Sequence, residues 1–312
     1  MPVKTRITEM LGIEKPIIQA AMGWIARSQL SSAVSNAGGM GIIETSSGEL
    51  DAVREEILKM HDLTDKPFGV NVAQAFVRDP KIIDFIIEQG VKFVTTSAGD
   101  PMKYTALIKE AGLTVFHVVP SLKGALRAIE AGVDGLIVEG GEGGGFKNPQ
   151  DVASMVLIPQ VCEAVDVPVV AAGGITDGRS MAAAFALGAE GILMGTRILS
   201  SAESPVHTNW KDAIIDADAT DTVFLNRSGP GPALRALKTE RTSRLQKEGS
   251  DNIFGEFAGT QDVYFKGKLE AGIALTGQVA GRISDIKPIR QIFDETLKEF
   301  GEVTGRLAKL NV

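Results

Sequence analysis

Short runs of apolar and β-branched residues recur through the first two-thirds of this 312-residue chain. Eight such runs cover residues 16–19, 40–43, 68–71, 92–95, 114–119, 135–138, 168–171 and 191–194. Their starts lie about 20 to 35 residues apart, which leaves room for a strand, a loop and a helix in each repeat. Because near-continuous apolar strands alternating with helices are typical of buried parallel sheets, eight repeats predict an α/β fold, a (β/α)8 or TIM barrel.

The repeat breaks after Thr196, so the barrel does not fill the whole chain. Residues 200–275 show no clear strand–helix unit and contain a Gly/Pro turn over residues 228–232. Residues 276–310 again have the pattern of a helix or a helix pair. We therefore predict a barrel built from residues 1–199 plus 276–312, with a small helical or irregular insertion over 200–275 on the substrate side of the barrel mouth.

Composition excludes several classes of protein. The balance of 32 basic and 39 acidic residues gives a net charge of −7, which disfavours a nucleic-acid partner. The single cysteine, Cys162, cannot form an internal disulfide, which favours a reducing compartment. No stretch approaches the roughly 18 apolar residues of a membrane helix, and the first ten residues lack a signal core. We expect a cytoplasmic protein with no membrane partner and no metal site, and homo-oligomerisation stays open.

Paired glycine turns follow the seventh and eighth predicted strands, as Gly173-Gly174 and Gly195-Thr196. In (β/α)8 barrels, the loops after these two strands frequently bind phosphate. Glycine lets successive backbone N–H groups approach an anion, and a following helix N-terminus adds a favourable dipole. The pair of turns favours a phosphate site over the alternative, two tight turns without a ligand.

A glycine-rich loop follows the sixth predicted strand, over residues 139–146. Glycines occupy positions 140, 141, 143, 144 and 145 of it. Their lack of side chains would let a flat ring system lie against the backbone at the barrel mouth. A mobile surface loop is the alternative interpretation.

Seven motifs along nearly the whole chain together resemble the nitronate monooxygenase family, formerly the 2-nitropropane dioxygenases. They are residues 16–22 (PIIQAAM), 37–39 (AGG), 67–71 (PFGVN), 139–145 (EGGEGGG), 172–175 (AGGI), 194–197 (MGTR) and 277–281 (GQVAG). The family also contains flavin-dependent enoyl-thioester reductases. The resemblance implies a TIM barrel that binds FMN, with a smaller domain inserted after strand 8.

The resemblance also assigns cofactor-binding positions. Ala21 and Met22 are expected to contact the flavin ring, Asn71 its edge, and Gln278 to lie near it. The FMN phosphate is assigned to Gly173, Gly174, Gly195 and Thr196. The remaining predicted cofactor-binding residues are Ala20, His117, Glu139, Gly144, Gly145 and Ala172.

One position departs from the family motif, which usually ends Gly-Gly-His. This chain has Phe146 where the family keeps that histidine. Phenylalanine cannot transfer a proton, and loss of such a group typically removes about 10²–10⁴-fold of rate. Packing is one interpretation of Phe146, and we favour an apolar wall for a bulky substrate. The variant motif, with residues 22–26, resembles a subgroup from steroid-ring breakdown that acts on CoA thioesters.

Candidate acid–base groups must then come from other positions. His117, near the end of the fifth predicted strand, is one candidate, and a structural core histidine is the equal alternative. Glu142 and Lys147 flank the glycine loop, although a solvated charge is the more common role for each. Among the remaining candidates, His207 is expected to cap a helix, His61 to lie at the surface, and Cys162 to be buried and inert.

A basic run spans residues 226–247, with six basic residues and one acidic residue. Such a run is usually a solvated helix face. The alternative is a patch that binds the phosphates of CoA or of a nicotinamide coenzyme. The predicted substrate-binding residues are Trp24, Phe146, Lys147, Arg235 and Lys238.

These observations favour an FMN-dependent oxidoreductase that transfers hydride between flavin N5 and a cyclic or enoyl CoA thioester, with NAD(P)H as a possible electron donor. A nitronate monooxygenase that oxidises alkyl nitronates with O2 is the alternative. A third hypothesis is a barrel that binds a phosphorylated ligand without redox chemistry.

Overall fold

A computed structural model describes residues 3–77, 79–229 and 231–310. The strands are β1 (Ile17–Gln19), β2 (Gly41–Ile43), β3 (Phe68–Ala73), β4 (Phe93–Ser97), β5 (Thr114–Val119), β6 (Gly135–Glu139), β7 (Gly145–Lys147), β8 (Val169–Ala172), β9 (Gly191–Met194), β10 (Thr222–Leu225) and β11 (Ala233–Leu237). All eight predicted strands are present, so the strand predictions from apolar periodicity are confirmed.

Helices alternate with these strands. They are α1 (Arg6–Leu11), α2 (Ser28–Asn36), α3 (Leu50–Leu63), α4 (Lys81–Glu88), α5 (Thr105–Glu110), α6 (Leu122–Glu130), α7 (Ser154–Cys162), α8 (Gly178–Ala186), α9 (Thr196–Leu199), α10 (Thr208–Ile215), α11 (Glu240–Glu248), α12 (Thr260–Lys266) and α13 (Ile289–Leu307). Within the described residues, no helix is both long enough and apolar enough to cross a membrane.

Eight parallel strands form the barrel in the order β1-β9-β8-β6-β5-β4-β3-β2. A parallel bridge between Ile18 and Met40 links the first and last strands of this order. There, the Met40 N–H donates to the Ile17 carbonyl at 2.9 Å, and the Gln19 N–H donates to the Met40 carbonyl at 3.0 Å. These bonds bring the sheet to near closure, and the predicted TIM-barrel fold is confirmed.

The barrel interior is filled by side chains from most of its strands. Ile18, Ile42, Phe93, Phe116, Ile137 and Val170 belong to one buried cluster. The Phe93 and Phe116 rings meet edge to face, with centroids 5.1 Å apart. Gly135 is required beside them, because a Cβ at that position would lie 2.5 Å from the Phe116 ring. The interior is therefore packed, and ligand space is left at the strand ends.

The insertion contains a sheet that the sequence analysis did not predict. Strands β10 and β11 form an antiparallel pair, and β11 also pairs with β7, which belongs to the glycine-rich loop. The expectation of purely helical or irregular structure over 200–275 was wrong in this respect. The strands are short and separated by a Gly/Pro turn, so local periodicity could not distinguish them, and β7 is a strand only because β11 pairs with it. The predicted return helix is α13, which packs against α8 and α2.

Candidate active site

A cavity of about 1040 Å³ opens at the carboxyl ends of the barrel strands. This volume is at the upper end of the roughly 300–1,000 Å³ range of small-molecule pockets. The predicted cofactor-binding residues that line it are Ala20, Ala21, Met22, Asn71, His117, Glu139, Gly144, Gly145, Ala172, Gly173, Gly174, Gly195 and Thr196. The fold thus brings residues from six different barrel strands or their loops to one site.

The turns after β8 and β9 form one side of the cavity, which we call the glycine rim (Ala172–Gly174 and Gly195–Thr196). Gly173 and Gly174 have φ values of 84° and 78°, in the left-handed region that favours glycine. A Cβ on Gly173 would lie 2.8 Å from the Gly140 carbonyl oxygen. None of the hydrogen bonds within residues 3–77, 79–229 and 231–310 uses the backbone N–H groups of Gly173, Gly174, Gly195 or Thr196. These free donors suit an anion such as a phosphate group.

The segment around Gln278 is fixed beside the glycine rim by its backbone. The Gln278 N–H donates to the Glu142 carbonyl, and the Gly277 N–H donates to Thr196 Oγ1, each at 2.9 Å. Gly277 and Val279 line the cavity, whereas Gln278 does not. The predicted contact between the Gln278 side chain and a ring therefore stays a prediction.

His117 lies on β5 and is buried, with 4% of its surface exposed. Its Nδ1 lies 2.7 Å from Thr96 Oγ1, and the residue lines the cavity. Burial lowers its pKa to about 4, against a weaker opposing effect of the Asp100 carboxylate. The imidazole is therefore neutral at neutral pH and is suited to hydrogen bonding rather than to carrying charge.

Lys147 and Glu139 form an ion pair at the cavity wall. The Lys147 side chain is 3% exposed and that of Glu139 is 25% exposed, and both residues line the cavity. Gly143 leaves space for the pair, because a Cβ there would overlap Glu139 Oε1 and lie 2.8 Å from Lys147 Nζ. Lys147 directly follows Phe146, so its ammonium group is the proton donor nearest to Phe146 in the sequence.

Phe146 stands on β7 and lines the cavity. Its ring is stacked on Phe257, with centroids 5.9 Å apart, and is tilted against Phe76 at 5.4 Å. We call Phe76, Phe146 and Phe257 the aromatic wall. Both ring partners of Phe146 come from segments distant in sequence rather than from its own glycine-rich loop.

Glu142 does not line the cavity, in contrast to its predicted catalytic role. Its carboxylate accepts hydrogen bonds from the Ser154 backbone N–H at 3.0 Å and from Ser154 Oγ at 2.9 Å. Ser154 begins α7, and the residue before it, Ala153, has no side chain that could cap the helix. Glu142 therefore serves as the helix cap, which stabilises the orphan N–H groups of the first turn.

The predicted substrate-binding residues of the basic run also lie away from the cavity. Arg235 is buried, with its guanidinium under the Phe224 ring, and its Nε donates to the Gly141 carbonyl at 2.6 Å. Lys238 is paired with Asp221 at 3.8 Å on the surface. Arg235 thus holds the glycine-rich loop against the hairpin, and its position does not support a direct contact with substrate.

The remaining candidates have structural surroundings. Trp24 does not line the cavity, and its Nε1–H donates to Glu49 at 3.0 Å. His207 caps α10 by accepting from the Asn209 N–H at 3.1 Å, as predicted. His61 is exposed, also as predicted. Cys162 is half-buried, and burial raises the pKa of its thiol to about 11, so it is inert as a nucleophile.

Comparisons with known proteins agree with this arrangement. The family model described as "Nitronate monooxygenase" matches residues 4–81 and 72–299 in two overlapping segments. This chain belongs to the nitronate monooxygenase family. Members of the family are flavin-dependent oxidoreductases, so the protein is an oxidoreductase enzyme.

Relatives within the nitronate monooxygenase family carry two kinds of name. A protein of Mycobacterium tuberculosis named "(3aS,4S,5R,7aS)-5-hydroxy-7a-methyl-1-oxo-octahydro-1H-indene-4-carboxyl-CoA dehydrogenase" is 32% identical over 94% of this chain and 95% of its own length. A "Probable nitronate monooxygenase" of Staphylococcus saprophyticus is 33% identical over 79% and 82%. The solved structure of FabK from Thermotoga maritima is 40% identical, with a TM-score of 0.91 over 98% of this chain and 99% of that chain.

A flavin of this family fits the glycine rim. The rim offers unpaired N–H donors, and the positive φ at Gly173 and Gly174 leaves the backbone open to an anionic tail. Asn71, whose Nδ2 donates to Thr95 Oγ1 at 2.9 Å, lies on the same cavity. These groups would hold the phosphate and the edge of the ring.

Several lining residues were missed from the sequence. They are Phe76, Asp100, Arg127, Asn148, Trp210, Phe254 and Tyr264. Asp100 could have been predicted, because it lies in the loop after the fourth strand, just as the predicted site residues lie in loops after other strands. The others lie on helices, on the insertion or in long loops, and only the tertiary fold brings them to the cavity.

Proposed function

We propose that the protein is an FMN-dependent oxidoreductase that transfers hydride between flavin N5 and an acyl group carried as a CoA thioester, either a cyclic acyl group or an enoyl group. The observation that carries the proposal is the aromatic wall. Phe146, at the position where the resemblance implies a histidine, lines the cavity and stacks on Phe257. Such a wall suits a bulky apolar acyl group, and the relatives named as CoA dehydrogenases support that substrate class.

The cofactor is assigned to the glycine rim of the cavity. The N–H groups of Gly173, Gly174, Gly195 and Thr196 would bind its phosphate, and Ala21, Met22 and Asn71 would contact the ring. When bound, FMN supplies the centre that accepts or donates hydride. We infer that NAD(P)H is the electron donor when the reaction runs in the reductive direction.

The protein side chains supply proton handling and a dry surrounding. In the reductive direction, the Lys147 ammonium, held by Glu139 at the cavity wall beside Phe146, would give the proton that accompanies hydride transfer. In the oxidative direction, the neutral amine of Lys147 would take that proton. Neutral His117 would hydrogen-bond to the ring or to the thioester carbonyl rather than act as a base. The aromatic wall would exclude water from the reacting carbon atoms.

The test is anaerobic mixing of the purified yellow protein with thioesters while the flavin absorbance is followed. Saturated cyclic hydroxyacyl-CoA is expected to bleach the flavin, or enoyl-CoA is expected to reoxidise flavin that NAD(P)H has reduced. A Lys147→Met variant should bind flavin but react at least about 100-fold more slowly. The proposal fails if no thioester changes the flavin spectrum in either direction.

Nitronate oxidation is a second candidate, because relatives at 33–34% identity are named probable nitronate monooxygenases. Oxygen uptake with propionate 3-nitronate measures it directly. We expect little uptake by the wild-type protein and a gain on Phe146→His. Phe254→His, which places a histidine elsewhere on the same cavity, is the matched control. Uptake by the wild-type protein well above that of free flavin would favour the second candidate instead.

A further inference from the structure

Part of the cavity lining lies near the protein surface, where the Asp100 and Arg127 side chains are about half-exposed. We call Asp100, Gly124, Arg127 and Asn148, which line the cavity there, the α6 rim. Gly124 and Arg127 belong to α6, and Asp100 belongs to the loop after β4. Any ligand that is too long for the barrel mouth can leave the cavity across these residues.

The α6 rim carries one of the two cationic side chains that line the cavity within the described residues. Among the described residues, the cationic side chains that line the cavity are Lys147 and Arg127. Lys147 is buried against Glu139, whereas the Arg127 side chain is 48% exposed. The basic run of the insertion contributes no lining residue, because Arg235 is turned into the hairpin. Arg127 is therefore the accessible cation for a ligand that extends out of the cavity.

The present partners of Arg127 hold it weakly. Its Nη2 lies 3.2 Å from Asp100 Oδ2, and its Nη1 lies 3.4 Å from Glu130 Oε2. Charge-assisted bonds between guanidinium and carboxylate are usually about 2.7–2.9 Å long. Exposed pairs of this kind contribute little to stability. A phosphate group, which accepts two parallel N–H bonds from one guanidinium, can replace either carboxylate.

We propose that Arg127 binds a phosphate group of the carrier that holds the acyl group as a thioester. This inference rests on the proposed function, since it concerns the carrier of the same acyl group. The acyl part would lie at the aromatic wall, and the pantetheine arm would pass over the α6 rim to Arg127. The phosphate chemistry is shared by CoA and by the phosphopantetheine group of a carrier protein.

Removing the charge of Asp100 should change phosphate binding in the direction opposite to removal of the Arg127 charge. Its carboxylate competes for Arg127 and would repel an approaching phosphate. It also caps the following turn, where it accepts from the Met102 N–H at 3.0 Å. Asparagine caps such turns about as well as aspartate, so Asp100→Asn removes the charge and keeps the local structure. This variant is expected to bind the phosphate-bearing arm more tightly.

The experiment measures binding by titration calorimetry on the flavin-loaded protein, with CoA, 4′-phosphopantetheine and pantetheine as probes. Arg127→Gln should weaken CoA binding at least about 10-fold and leave pantetheine binding unchanged. Asp100→Asn should strengthen CoA binding about 2- to 5-fold. Arg244→Gln, an equal charge change at an exposed position of the basic run, is the matched control and should leave CoA binding unchanged.

The probes also separate the two sources of phosphate. If Arg127→Gln weakens 4′-phosphopantetheine as much as CoA, Arg127 meets the phosphate that CoA and a carrier protein share. If only CoA is weakened, Arg127 meets a phosphate of the nucleotide. Both results support the inference.

Three results overturn the inference: an equal loss for pantetheine, a loss on Arg244→Gln rather than on Arg127→Gln, or no CoA binding by the wild-type protein. Because calorimetry needs no chemistry, these results are distinct from failure of the proposed function, which is judged by the flavin spectrum alone. Flavin content and melting temperature of each variant show whether it is folded.

Discussion

The two sides of the cavity are built in different ways. The glycine rim is made of backbone, in two turns that each follow a barrel strand directly. The aromatic wall and the Lys147–Glu139 pair are made of side chains from separate parts of the chain, and β7 is held in place by pairing with the insertion. The glycine rim, where we propose that the cofactor binds, therefore depends on local conformation, whereas the aromatic wall and the Lys147–Glu139 pair depend on long-range packing.

The largest expected effect comes from adding a methyl group to the glycine rim. Gly173→Ala places a Cβ 2.8 Å from the Gly140 carbonyl oxygen in a left-handed conformation, so the turn must move. Loss of its N–H bonds to a phosphate should weaken flavin binding about 100-fold or more, as measured by flavin fluorescence titration. Gly132→Ala is the matched control, since its φ is +83° and a Cβ there meets nothing within 4 Å. Equal flavin loss in both variants would show that strain alone is responsible.

On the substrate side, the largest expected effect comes from removing one charge of the buried pair. Lys147→Met leaves Glu139 without its partner and should lower the free energy of unfolding of the flavin-free protein by about 3 kcal/mol. Urea denaturation measures this change. Adding Glu139→Gln should restore most of the loss, and flavin affinity should change much less than in Gly173→Ala. A loss of flavin affinity as large as that of Gly173→Ala would contradict the separation between the glycine rim and the side chains of the aromatic wall and the ion pair.

His117 gives an effect of about 2–3 kcal/mol that depends on pH. Its pKa is near 4 in the folded protein and 6.5 in the reference state, so between these values the unfolded chain binds a proton that the folded chain does not. The free energy of unfolding should therefore fall as pH decreases from about 6.5 to about 4. Subtracting the pH profile of His117→Gln isolates this contribution from the carboxylates. Identical slopes for both proteins would show that His117 is not desolvated in the fold.

The smallest expected effect comes from the outer member of the aromatic wall. Phe257→Leu keeps an apolar side chain but removes the ring stacked on Phe146, at a cost of about 1 kcal/mol in the free energy of unfolding. The KM for a cyclic thioester should rise a few-fold without loss of flavin. Phe254→Leu, at a phenylalanine that is 52% exposed, serves for comparison. A change in flavin affinity instead of KM would show that Phe257 supports cofactor binding rather than substrate binding.

The residues of the cavity that directly follow a strand end were predictable from the sequence. Gly173, Gly174, Gly195 and Thr196 lie where parallel strands of a barrel all deliver their loops, so knowing the strands was sufficient. The roles of Glu142 and Arg235 were not predictable. A charge beside a glycine loop has the same sequence whether it faces the cavity or caps α7, and only the neighbouring elements distinguish the two.

The sequence by itself determined the barrel and its glycine rim, because apolar periodicity and glycine turns are short-range properties of the chain. Only the tertiary structure decided which side chains form the rest of the cavity. It paired β7 with β11, gave Phe146 its aromatic partners, kept Arg235 out of the cavity lining and brought Arg127 into it. These are contacts between residues far apart in sequence, and their geometry depends on how the insertion folds back over the barrel.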